Sequence, residues 1–232
     1  PVNLGVEIGH MWFIYMLLGL YMLVPIISPW LEQCSKRQLQ GYLGVWAFTT
    51  LLPYIHLWFP EVWGECFWNP TPMLHYFTGF AGYFVLGYYI KRYGALSVRN
   101  ALLLLVGGYL FTVAVYLYRL ERVTSISDLE ICWRFCSMNM MLMTYAMFSL
   151  VSRIKWQGNN AFGRWISSYA MLSYAVYFVH IMLINFWRDL LSESLAHVYY
   201  QIPIITLCSF LSSYAVVWIL SKLPKAKVWL GS

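Results

Sequence analysis

The sequence predicts an all-α protein, a polytopic transmembrane helical bundle of about seven spans. Three observations predict it. Of the 232 residues, 61% are apolar and 19% aromatic, and only 10% are charged, where soluble domains carry roughly a quarter. Apolar runs long enough for a bilayer recur along the chain, with a mean hydropathy of +0.61. The charges also segregate between alternate connectors. Lipid is therefore the solvent for most of this surface, and an ordinary soluble domain is excluded.

Seven segments fit the roughly 20 residues that a helical span needs. They cover residues 10–30, 41–59, 72–90, 100–118, 131–151, 165–187 and 201–221. The connectors carry the helix breakers: Pro29 after the first span, Pro60, Pro70 and Pro72 around the third, Gly94 after it, Gly158 and Gly163 before the sixth, and Pro224 at the end. No internal repeat is visible, and residues 1–232 read as one membrane domain. The chain opens on Pro1, close to its first apolar run, so an N-terminal part is expected to be missing. Cys34, Cys66, Cys132, Cys136 and Cys208 lack the paired spacing of a zinc site and the density of a disulfide framework.

Lys and Arg set the orientation, because cytoplasmic connectors hold their excess. One set of connectors holds 11 of the 15 bases, among them Lys36, Arg92, Arg153, Lys155 and Lys222, and a single acid, Glu32. The other set holds four arginines and eight of the nine acids. The chain is thus expected to start outside and end in the cytoplasm. The net charge of +6 follows from this asymmetry and implies no nucleic-acid partner.

All five histidines then fall in the outer half: His10, His56, His75, His180 and His197. Imidazole tolerates the membrane interface, as Trp and Tyr do. Ionisable groups within a membrane also mark polar cavities, and neutral imidazole accepts a proton near pH 7. In the sixth span Ser173, Tyr177, His180, Ile184 and Trp187 step by four, three, four and three, which places them on one helix face. His10 and Tyr21 share a face of the first span. Arg134 enters the fifth span near its outer boundary, where it has two readings. It pairs with Glu130 one helical turn away, or it holds a carboxylate, phosphate or carbonyl oxygen. Asn139 reads as an interhelical hydrogen-bond partner, and Met138, Met140, Met141 and Met143 as packing. The histidines come from different spans with no local pair, so no metal is expected.

Three stretches resemble the acyltransferase 3 family, multi-pass membrane enzymes that O-acylate cell-surface glycans and related lipids. The first is GHMWFIYMLLGLYMLVPII, where His10, Trp12, Tyr21 and Pro25 fit the family pattern. The second is HYFTGFAGYFVLGYYI, starting at His75, and the third is SYAVYFVH, Ser173 to His180, with Ala175 at a position where the family has glycine. The closing LPKAKVWLG is also similar. The family has about ten spans and a cytoplasmic start, so the resemblance implies a C-terminal portion lacking the first three spans and their Arg and His. As given, the chain is expected to be incomplete for catalysis. Leu17 and Leu18 stand where one branch of the family has Glu.

The resemblance implies O-acyl transfer, with acetyl-CoA as donor and a hydroxyl of a cell-surface glycan or lipid-linked saccharide as acceptor. Such transfer needs a base for the hydroxyl and donors for the oxyanion. His10, His180 and Arg134 are the expected catalytic residues, with Trp12, His75, Tyr177 and Ser173 at the substrate. Arg92, Arg153 and Lys155 on the inner side suit the coenzyme A phosphates, although the orientation rule explains them too. The implied location is a cell membrane, the bacterial inner membrane, with a cytoplasmic C-terminus. A solute transporter or receptor is the alternative, since seven spans with intramembrane polar residues serve binding without bond chemistry.

Overall fold

The computed structural model describes residues 12–63, 73–154, 160–192 and 197–224, and these are helical with no strand. Seven long helices follow in order: α1 Trp12–Gln33, α2 Lys36–His56, α3 Ala81–Tyr93, α4 Val98–Leu120, α5 Met138–Val151, α6 Ala161–Leu191 and α7 Val198–Leu220. Each overlaps one predicted span. Four of them, α1, α4, α6 and α7, are long and apolar enough to cross a membrane. The chain divides into two compact units, Pro1–Lys155 and Trp156–Ser232.

Short polar side chains fix several helix starts. Ser35 caps α2: its hydroxyl accepts from the Gln38 N–H at 3.3 Å, while the Gln38 side chain accepts from the Ser35 N–H at 2.9 Å. This reciprocal box starts α2 at Lys36, five residues before the predicted span. Ser97 caps α4 through the Asn100 N–H at 3.2 Å, and Asn160 caps α6 through the Gly163 N–H at 2.6 Å.

Two spans start later than the sequence suggests. The helix expected from residue 72 begins at Ala81, preceded by a 3-10 turn over His75–Phe77. Leu74 (φ 59°) and Gly79 (φ 84°) lie in the left-handed region, which an α-helix does not tolerate. The helix expected from residue 131 begins at Met138, after a 3-10 turn over Glu130–Cys132 and further turns. At 13 and 14 residues, α3 and α5 are shorter than a full crossing requires.

In the first unit α5 packs on α4, and both α3 and α5 pack on α2. Small residues allow close approach. A side chain at Gly82 would run into the Trp46 indole, which is buried between α2 and α3 and donates to the Gly79 carbonyl at 3.0 Å. At Gly108 a Cβ would meet Met143 Cγ at 2.5 Å. Met141 belongs to the same core as Trp46, Leu86 and Ile90, so Met141 and Met143 pack as predicted. The end of α1 joins through Leu31, which is buried with Cys34, Leu39 and Val85.

The second unit is an α6–α7 pair sealed by Leu172, Ala175, Val176 and Val217. Tyr169 stacks on Phe210 with ring centroids 4.7 Å apart, and the Trp187 indole donates to the Ser212 hydroxyl at 3.0 Å.

Candidate functional site

The α6 stripe becomes the wall of a cavity of about 360 Å3. Ser173, Tyr177, His180 and Ile184 line it from α6, facing Thr206, Ser209 and Ser213 on α7. Trp187, the last member of the stripe, instead ties the two helices through Ser212. His180 Nδ1 lies 2.5 Å from the Tyr177 carbonyl. A carbonyl only accepts, so this nitrogen carries the proton in the neutral ring, and Nε2 keeps the basic lone pair. The Ser173 hydroxyl donates to the Ala170 carbonyl at 2.8 Å.

Ser209 was not singled out by the sequence reading. It is 3% exposed, and its hydroxyl has no hydrogen-bond partner among the described residues. Its neighbours behave differently: Ser213 donates to the Ser209 carbonyl and Ser212 to the Cys208 carbonyl, each at 2.6 Å. The available signal was the Thr206, Ser209, Ser213 spacing, which aligns three hydroxyls on one face of α7.

In the first unit a cavity of about 300 Å3 lies at the ends of α2 and α4. His56, Arg119, Asp128 and Arg134 contribute its polar lining. The pairing of Arg134 with Glu130 does not form, and the guanidinium makes no hydrogen bond or ion pair among the described residues. The reason is local: that pairing needs one continuous α-helix, and the chain from Glu130 to Ser137 follows 3-10 and turn geometry. Asn139 anchors this segment. Its side-chain NH2 donates to Thr112 Oγ1 and to the Cys132 carbonyl, both at 2.7 Å. Its Oδ1 accepts from Tyr54 at 2.7 Å and from Ser137 at 2.8 Å. Asn139 is thus an interhelical hydrogen-bond partner, with all four positions filled.

The other expected site residues lie elsewhere. His10 and Lys155 are outside the described residues. Trp12 stacks on Phe135 at 5.1 Å and lies 5.7 Å from Phe80, in an aromatic cluster of the first unit. His75 is exposed on its 3-10 turn, edge-on to Tyr76. The Arg92 guanidinium donates to the Leu31 carbonyl at 2.8 Å and to the Tyr88 hydroxyl at 3.1 Å, which ties the end of α1 to α3. Arg153 donates to the carbonyls of Leu96 at 3.0 Å and Ala95 at 3.1 Å, bracing the α3–α4 connector. Arg153 and Lys91 also line a cavity of about 700 Å3.

Long apolar helices with a histidine-bearing cavity between two of them define a membrane protein with a polar site. A family model described as an acyltransferase domain matches residues 3–222. The chain belongs to this acyltransferase 3 family, and is a membrane acyltransferase by family and by helices. No curated protein and no solved structure matches it.

Proposed function

We propose that this membrane acyltransferase is an O-acyltransferase that moves an acyl group, acetyl in the first instance, from acyl-CoA to a hydroxyl of a cell-surface glycan or lipid-linked saccharide. The observation that carries the site assignment is the α6–α7 cavity, in which His180, Tyr177 and Ser173 share one wall. With Nδ1–H held by the Tyr177 carbonyl, Nε2 of His180 takes the proton of the acceptor hydroxyl as its oxygen attacks the thioester carbonyl. The C–S bond breaks, the coenzyme A thiolate leaves, and the proton passes from imidazolium to thiolate. Arg134 steadies an anionic or carbonyl group, and His10, Trp12 and His75 act on the acceptor side. Arg92, Arg153 and Lys155 meet the coenzyme A phosphates; the cavity shared by Arg153 and Lys91 supports this.

About seven spans complete the arrangement, with an outer start and a cytoplasmic end in a bacterial inner membrane. The eleven-to-four division of bases between alternate connectors supports that orientation. The test is transfer of labelled acetyl from acetyl-CoA to surface glycan in membranes carrying the complete gene product. Replacing His180 by Ala is expected to lower the rate about 100-fold or more. Transfer that is unchanged after His10, Arg134 and His180 are each replaced by Ala rejects the site assignments.

A further inference from the structure

The cavity at the ends of α2 and α4 is cationic in a particular way. Arg134 holds nothing among the described residues. Arg119 directs Nε and Nη2 to the Asp128 backbone carbonyl, at 3.2 and 3.1 Å, rather than to the Asp128 carboxylate. Two permanently charged forks, the His56 ring and Asp128 therefore line about 300 Å3 with a net positive charge, and among the described residues no carboxylate lies within ion-pair distance of either guanidinium.

A second cavity, of about 490 Å3, shares Leu57 and Arg119 with the first. Its remaining walls are chiefly aromatic and aliphatic, with Tyr54, Trp58, Phe111, Val115 and Tyr118, and its further guanidinium, Arg122, is committed to Tyr118, whose ring it covers and to whose carbonyl it donates at 2.7 Å. Arg119 thus stands where a cationic chamber meets an apolar one. It also lies in the last turn of α4, a 23-residue helix long enough to cross a bilayer, and so at the depth of lipid headgroups.

We propose that the two cavities form one binding site for a membrane amphiphile with a phosphoryl headgroup. Arg119 and Arg134 hold the headgroup, and the first tail carbons lie along Trp58 and Phe111. A free anion would engage only the first chamber, and a neutral lipid only the second. Two guanidinium forks match the several oxygens of a phosphoryl group better than the two of a single carboxylate. The inference shares Arg134 with the proposed acyl-transfer site but concerns only lipid occupancy of the first unit, so its test reads retention of lipid and no acyl transfer.

Native mass spectrometry of the full chain in neutral detergent tests it. Phosphatidic acid is the probe, diacylglycerol supplies matched tails without the phosphoryl group, and inorganic phosphate is the competitor. Phosphatidic acid is expected to be retained and diacylglycerol lost, with inorganic phosphate displacing the lipid only in large excess. Arg119→Gln and Arg134→Gln should each weaken retention about tenfold or more, and Trp58→Ala should weaken phosphatidic acid alone. Arg134→Lys keeps the charge but not the fork and should weaken retention less than Arg134→Gln, which separates loss of contact from loss of fold. Arg188→Gln, at an exposed arginine of the second unit paired with Asp189, should change nothing. Equal retention of diacylglycerol, displacement by equimolar phosphate, or full retention in both Gln variants would each overturn the proposal.

Discussion

Asn139 and Ser209 are both almost fully buried, yet their polar atoms have opposite fates. All four positions of Asn139 are filled, so Asn139→Leu removes four bonds at once and strands the Cys132 carbonyl, while the Thr112, Tyr54 and Ser137 hydroxyls fall back on the carbonyls of Gly108, Ile131 and Arg134. A loss of about 2 kcal/mol is expected in detergent unfolding. Ser209 has no such partners, and Ser209→Ala should leave stability unchanged or raise it by about 1 kcal/mol. If the α6–α7 cavity holds the acceptor, the same variant should still raise the KM for it. A Ser209→Ala protein that is clearly less stable would mean that the hydroxyl is satisfied after all. The stripe through Ser173, Tyr177 and His180 was legible in the sequence because helical periodicity alone decides which residues share a face. The facing hydroxyls of α7 were harder to see, since serine and threonine are common in membrane helices and what sets Ser209 apart from the equally buried Ser213 is a hydroxyl with no hydrogen-bond partner among the described residues.

At the scale of elements, apolar composition located the middle of every long helix, and local chemistry decided the ends. The α2 start was legible in principle, because Ser35 and Gln38 have the spacing of a capping box. Replacing Ser35 by Ala should cost about 1 kcal/mol and fray the first turn of α2, as seen in hydrogen exchange of its first amides. The late start of α3 was not legible, because Leu74 is no turn former and its residue type gives no sign of a left-handed backbone. The fifth span was misjudged for a related reason. Residues 131–137 are apolar enough for a helix, but the carbonyl of Cys132 is bonded by Asn139 and those of Ile131 and Phe135 by Tyr54 and Tyr83. Those side chains replace helix-internal bonds. Gly82 limits the α2–α3 contact from the other direction. Gly82→Ala should destabilise the first unit by about 1–3 kcal/mol, because the Trp46 indole behind it is buried and cannot swing aside.

For the whole molecule, the division of charge carries the proposed orientation, and single-cysteine accessibility checks it. Cysteines placed at His197 and Lys222, at opposite ends of α7, should label from opposite aqueous compartments. Labelling of both from one side would reverse or dissolve the assigned sidedness. The membership of the chain in a membrane acyltransferase family was legible from three short stretches, since their order along the sequence survives without any contact being known. The anionic-headgroup chamber was not, because Arg119 and Arg134 are brought together by the turns between Leu120 and Met138. The abbreviated α3 and α5 have one more consequence. Each rises about 20 Å against a hydrocarbon slab of roughly 30 Å, and irregular backbone in lipid survives only where protein or water shelters it. Were these two helices to cross it, the bilayer beside them would dip or water would reach inward by about a third of its thickness, and the proposed saccharide acceptor would have that much less oil to enter.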